Sequence, residues 1–154
     1  MSIVFADPNE SMFDIGANIL INPVNCIGVM GGGLALEFKE RYPAMFYDYY
    51  HCCQIGMKPG MIHTYRTGPS EFVFNVPAKD DLSDSTEMIL KRSLVGLTLV
   101  LIGMRPLLLG AKIAIPALGC GLGGMEWNKV KDMILDFCNN EHLSEYNFVI
   151  FEPK

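Results

Sequence analysis

The chain has 154 residues, half of them hydrophobic, and a formal net charge of −5, which fits one domain with a sizeable core. The acidic balance and the lack of a basic block exclude a nucleic-acid sleeve held by counterion release, though not a nucleotide held by backbone groups. The most apolar stretch, Leu94 to Leu109, is interrupted by Arg105 and Pro106 short of the roughly 20 residues that a spanning helix needs, so it reads as a core helix rather than a membrane segment.

In chain order, Ile3 to Phe5 reads as a first strand and Asp7 to Ser11, with Pro8, as a polar turn. Ile19 to Val24 predicts a strand that is apolar on both faces. Leu34, Phe38 and Arg41 or Tyr42 then fall at helical spacing. Pro43 ends that helix and opens the next, Ala44 to Ile55, with Met45, Tyr49 and Cys52 or Cys53 on one face and Gly56 as its C-cap. Met61 to Tyr65 and Phe72 to Val76 are predicted strands joined by a turn at Gly68-Pro69, and Pro77 to Ser85 is loop. Asp84 and Glu87 have the spacing of a capping pair at the start of a helix whose apolar stripe is Leu90, Leu94, Leu97 and Leu101, ending near Met104. Ile113 to Pro116 is a short buried strand, and Trp127 to Cys138 a helix with Val130, Met133 or Ile134 and Phe137 inward. Phe148 to Phe151 is the last strand. This alternation predicts an α/β sandwich with a mixed sheet.

Two glycine-rich segments carry the chemistry. One is Asn22-Pro23-Val24-Asn25-Cys26-Ile27-Gly28-Val29-Met30-Gly31-Gly32-Gly33-Leu34-Ala35; the other is Ile115-Pro116-Ala117-Leu118-Gly119-Cys120-Gly121-Leu122-Gly123-Gly124. Each follows a buried strand and leads to a helix, which sets backbone N–H groups and a helix N-terminus beside each other, as an anionic phosphate requires. Neither is a Walker loop or a dinucleotide fingerprint, since no Gly-Lys-Ser/Thr follows Gly33 and the order Gly28-x-x-Gly31-Gly32-Gly33 is not Gly-x-Gly-x-x-Gly. Glycines also serve tight turns, but two such loops in one small α/β unit predict a diphosphate gripped from two sides at the C-terminal ends of strands.

Asn25 offers donors and an acceptor for ribose hydroxyls or, equally, a turn; for Asn22 the turn or cap role is favoured. Lys79, just past the strand ending at Val76-Pro77, is either a solvated loop lysine or, where a cleft buries it, a nucleophilic amine. His51-Cys52-Cys53 does not form a metal site, because consecutive helical residues do not face one point, and no metal or cofactor is expected. His63 and His142 have no evident acid–base partner, Cys120 has no neighbouring histidine to activate it, and Trp127 reads as a core anchor. The five cysteines, an odd number without Cys-x-x-Cys, and an N-terminus without a basic stretch before an apolar run point to a reduced, cytoplasmic setting without a secretory leader.

The run from Asn22 to Pro43, the run from Pro116 to Trp127 and the segment Asn75-Val76-Pro77-Ala78-Lys79 resemble the macro domain, the ADP-ribose-binding module. They are most similar to the branch that holds the DNA-thymidine ADP-ribosyl hydrolase antitoxins of the DarG type and the terminal ADP-ribose glycohydrolase of animals. The resemblance covers nearly the whole chain. It implies a single three-layer α/β/α domain over residues 1–154, in which Asn22, Asn25, Cys26 and Gly28 to Leu34 hold the distal ribose and diphosphate; the oligomeric state stays open, and a compact domain of this size can be a monomer. Ala117 to Gly124 would close from the other side, and Lys79, with Asn25, would carry catalysis. The implied activity is hydrolysis of ADP-ribose from a nucleobase, thymidine in single-stranded DNA, or from an acidic side chain; the alternatives are an ADP-ribose 1″-phosphate phosphatase and a non-catalytic reader. The chain departs from the pattern in three ways. Gly32 stands where DarG-type relatives have lysine, and Gly124 stands about where the animal enzyme has a catalytic aspartate. The residues near Glu10-Ser11 lack the adenine-binding aspartate, for which Asp7 or Asp14 would have to substitute.

Overall fold

Ile19–Val24 (β2) has the two apolar faces of an interior strand, and it lies inside a six-stranded sheet. The computed structural model describes residues 2–79, 85–121 and 123–154. Among them the other strands are Ser2–Phe5 (β1), His63–Gly68 (β3), Glu71–Pro77 (β4), Lys112–Ile115 (β5) and Asn147–Ile150 (β6), in the order β1-β6-β5-β2-β4-β3. Every neighbouring pair is parallel except the β3–β4 hairpin. The sheet is therefore mixed, as the alternation of elements predicts.

Parallel strands need crossovers, and crossover helices cover both faces of the sheet. Gly33–Arg41 (α1) and Pro43–Ile55 (α2) bring Phe38, Met45 and Tyr49 against Leu20, Val73 and Ala114. On the other face Thr86–Met104 (α3) and Trp127–Cys138 (α4) bring Leu90, Leu97, Leu101, Val130 and Ile134 against Ile21, Phe74, Ile113 and Phe148. The result is the three-layer α/β/α sandwich. Burying each of these large apolar side chains contributes about 1.5–3 kcal/mol.

Element limits differ from expectation mainly at the ends. β3 begins at His63 rather than Met61 and runs on to Gly68, and β4, Glu71–Pro77, is one residue longer at each end than expected. The N-cap of α3 is Ser85, whose hydroxyl accepts the Met88 amide, while Glu87 pairs with Lys129 of α4; Asp84 lies outside the described residues. Two short 3-10 turns, Met12–Asp14 and Glu141–Leu143, were not legible, because three residues carry no periodicity.

One close approach fixes α3 against the turn that precedes β3. A Cβ on Gly96 would lie 2.0 Å from the Gly60 carbonyl oxygen, a position only glycine allows. Gly96→Ala gains helix propensity of about 1 kcal/mol, but the overpacking cost of about 1–3 kcal/mol or more exceeds it. The variant is expected to unfold at a lower denaturant midpoint than wild type in a urea titration followed by circular dichroism.

Candidate functional site

Because β1, β6, β5, β2 and β4 run parallel, the segments that follow β2, β4, β5 and β6 leave the same edge of the sheet. They enclose a cavity of about 1040 Å³, at the upper limit of the roughly 300–1,000 Å³ usual for small-molecule sites.

The first wall is the loop after β2. Asn25 organises it: its Oδ1 accepts the amides of Ile27 (3.1 Å) and Val29 (3.3 Å), and its Nδ2 donates to the Val29 carbonyl (2.9 Å). The Tyr49 hydroxyl, on α2, donates to both the Asn25 carbonyl and Oδ1 at 2.7 Å, and burial pushes that hydroxyl well above its ordinary pKa. The turn role expected of Asn25 is thus realised, and Asn25 lines the cavity as well. Val29, Met30, Gly31, Gly32, Gly33 and Leu34 also line it, together with Ala35. These last residues open α1, whose first amides have no partner within the helix, and Gly32 supplies no side-chain cap. The positive end of the helix therefore faces the cavity.

The second wall is the loop after β5. Ala117, Gly119, Cys120, Gly121 and Gly123 line the cavity. The amides of Leu118, Cys120, Gly124 and Met125 are used within the loop, on Pro116, Ala117, Gly121 and Gly119 carbonyls respectively. Thr86, at the start of α3, donates its hydroxyl to the Gly123 carbonyl at 3.0 Å, and a Cβ on Gly123 would lie 2.6 Å from the Gly119 carbonyl oxygen. The loop is thereby held tight against α3. Burial raises the Cys120 thiol above its ordinary value, so this cysteine is not a poised thiolate.

Between the walls, the Ala78 amide donates to the Val24 carbonyl at 2.9 Å, extending the β2–β4 ladder by one bond. Lys79, the next residue, is half-buried and lines the same cavity.

Other predicted ligand contacts stand elsewhere. Asn22 is fully buried and does not line the cavity. Its Nδ2 donates to Asn75 Oδ1 (2.9 Å), and Asn75 Nδ2 donates to His63 Nδ1 (2.9 Å). His63 Nε2 lies 2.7 Å from Asp48 Oδ2. Because Asn75 donates to Nδ1, the imidazole hydrogen is assigned to Nε2 and donates to Asp48. The substrate role expected of Asn22 gives way to this buried chain beneath the loop, and His63 does have a carboxylate partner after all. Gly28 (φ +87°) is buried under the Tyr50 ring, and Cys26 packs on the α1–α2 side of the core. Leu118 is fully buried in the opposite core, and Gly124 is exposed beyond the cavity. None of these lines the cavity; Leu122 lies outside the described residues.

Glu10 to Phe13 and Phe151 to Lys154 also line the cavity. Asp7 and Asp14 do not line it; Asp7 caps the turn by accepting the Asn9 amide. The contribution of residues 151–154 was missed from sequence. The parallel pairing of β6 with β5, which no local sequence pattern specifies, brings these residues to the same edge.

Fold and site together define an α/β/α sandwich with two glycine loops and a helix N-terminus facing one cleft. The family model of the macro domain matches residues 21–134, and the chain belongs to the macro domain family. It is 33% identical over 139 residues to the DNA ADP-ribosyl glycohydrolase of Mycobacterium tuberculosis and 31% identical over 148 residues to that of Thermus aquaticus. These matches cover 87% and 93% of this chain but 38% and 39% of the relatives, so the chain spans under two fifths of their length. Among solved structures, the macrodomain of Mycobacterium tuberculosis DarG superposes with a TM-score of 0.85 at 30% identity, covering 99% of this chain and 98% of that one. The macrodomain of Thermus aquaticus DarG gives 0.84 at 29% identity, covering 98% of each chain. A shorter stretch of 35 residues is 51% identical to the ADP-ribose 1″-phosphate phosphatase of Aspergillus oryzae, covering 23% of this chain and 17% of that protein.

The buried amide chain yields a stability prediction. Asn75→Ala strands His63 Nδ1 and Asn22 Nδ2, each at a cost of about 1–3 kcal/mol. Chemical denaturation is expected to show a loss of about 2–4 kcal/mol, and a loss under 1 kcal/mol would show that the two groups find other partners.

Proposed function

We propose that the chain binds ADP-ribose and acts as an ADP-ribosyl hydrolase, removing ADP-ribose from a modified nucleobase, thymidine in single-stranded DNA, with Lys79 central. The observation that carries the reading is that Lys79 lines the same cavity as both glycine loops and the N-terminus of α1. The names of the DNA ADP-ribosyl glycohydrolase relatives support DNA as the modified polymer.

In this reading the diphosphate lies between the α1 N-terminus and the Gly119–Gly123 loop, where backbone amides and the helix dipole oppose its charge. The distal ribose sits by Asn25 and Lys79, and adenine lies beside Phe13 and Phe151. Breaking the glycosidic bond builds positive charge on the anomeric carbon, which the diphosphate stabilises and which a positioned amine attacks. Lys79 passes a proton to the leaving base and bonds through its nitrogen to that carbon as the bond to the base breaks, the base leaving with the electron pair. Water then attacks the same carbon, and ADP-ribose is released with Lys79 regenerated. Asn25, already committed to holding the loop, positions the ribose.

Lys79→Ala is expected to lower kcat on ADP-ribosylated thymidine DNA by about 10²–10⁴-fold while ADP-ribose still binds in calorimetry. Release of phosphate from ADP-ribose 1″-phosphate that survives this substitution would favour the phosphatase reading, which the short Aspergillus match supports. Binding without turnover of either substrate would leave a reader. Gly32 has extended backbone and no atom within 4 Å of a Cβ position, so it accepts a lysine side chain. Gly32→Lys is expected to tighten ADP-ribose binding about two- to fivefold, the worth of one solvent-screened ion pair, with the gain shrinking at high salt.

A further inference from the structure

The apolar wall of the cavity does not stop at its mouth. Ile27 and Val29 line the cavity and are also exposed, Val29 by 51%. The glycine between them, Gly28, underlies the Tyr50 ring; a Cβ there would lie 3.0 Å from Tyr50 Cδ1. From Tyr50 a ladder of rings continues along α2. Phe46 and Tyr50 have centroids 6.3 Å apart, Phe46 and Tyr47 5.7 Å apart, and Lys39 Nζ lies 4.3 Å from the Phe46 centroid. Phe46, Tyr47 and Lys39 also wall a small groove between α1 and α2. Tyr47 is 65% exposed and Tyr50 40%, high for residues that normally bury their rings. The surface starts beside Asn25, whose amide holds Ile27 and Val29, and so at the distal-ribose end of the proposed site.

We propose that this ladder is the acceptor-strand subsite, on which unpaired nucleobases flanking the modified thymidine stack against Tyr50 and Tyr47 with Lys39 beside their phosphates. The proposal rests on the hydrolase reading for its direction along the surface. With a net charge of −5 the chain gains little from phosphate neutralisation, so the contact is confined to a few flanking bases whose stacking supplies the affinity; a duplex hides those base faces. The rings are held by one another and by Gly28, so little freedom is lost when a base docks.

The test measures the affinity of three ligands for the Lys79→Ala protein, in which turnover is suppressed: ADP-ribosyl-thymidine, the same nucleoside within a single-stranded octamer, and an ADP-ribosylated glutamyl peptide. The octamer is expected to bind about tenfold or more tighter than the nucleoside. Adding Tyr47→Ala should remove about tenfold of the octamer's affinity, the effect of losing one stacked base, and leave the nucleoside and ADP-ribose unchanged. Because Tyr50 sits on Gly28, Tyr50→Phe serves as its conservative control and should retain octamer binding that Tyr50→Ala loses. Equal affinity of octamer and nucleoside, or a Tyr47→Ala octamer affinity equal to the parent's, overturns the subsite. An equal loss on the peptide assigns the face to protein acceptors and also overturns it. Wild-type turnover of the nucleoside, measured separately, tests the hydrolase reading: if it is absent while the octamer still depends on Tyr47, that reading fails and the strand subsite stands.

Discussion

The cleft depends on one constraint, the parallel alignment of β2 with β4 and β5. Ile19 pairs with Phe72 on one side and with Ile113 on the other, so the three strands run alongside one another in one direction and their connections leave one edge. With helices over both faces of the sheet, backbone amides remain available at that edge. The Gly31–Gly33 turn meets the start of α1 there, the Gly119–Gly123 loop lies opposite, and Lys79 follows β4 between them. An antiparallel β5 would send its loop to the opposite edge and leave half a cradle.

Polar groups below the loops keep that edge rigid. Asn25 and Tyr49 fasten the first loop through short bonds, and the chain Asn22, Asn75, His63, Asp48 ties β2, β4, β3 and α2 together beneath it. Within a low-dielectric core each such bond is strong when made and costly when broken. The second loop is fastened differently, by the Thr86 hydroxyl and by glycine contacts that no Cβ could share. One loop is thus held by the Asn25 side-chain amide and the Tyr49 hydroxyl, and the other by the Thr86 hydroxyl and close backbone packing.

Much of this was legible in the chain. β2 and α4 fall on their predicted limits because Ile19 to Val24 is apolar on both faces apart from Asn22 and Trp127 to Cys138 has strong helical periodicity. The two loops announced themselves through glycine placed after buried strands. Long-range pairing left no local trace. Nothing near Asn22 signals that its amide faces Asn75, 53 positions on, rather than a ligand. His63 looked solitary because Asp48 lies on a helix and reaches it across space. Residues 151–154 entered the cavity only through the register of β6, which no local pattern specifies. The exposed rings of α2 were read simply as helix, since a helical stripe carries no record of which side faces solvent.

The claim that both loops grip one ligand is tested most directly by following backbone amides in a ¹H–¹⁵N NMR titration with ADP-ribose. Resonances of Gly31 to Ala35 and of Gly119 to Gly123 are expected to shift together and saturate at one common ligand concentration, while those of Gly60 and Gly96, on the α3 side away from the cleft, stay in place. Shifts confined to one loop, or saturation of the two at different concentrations, would contradict a two-sided clamp.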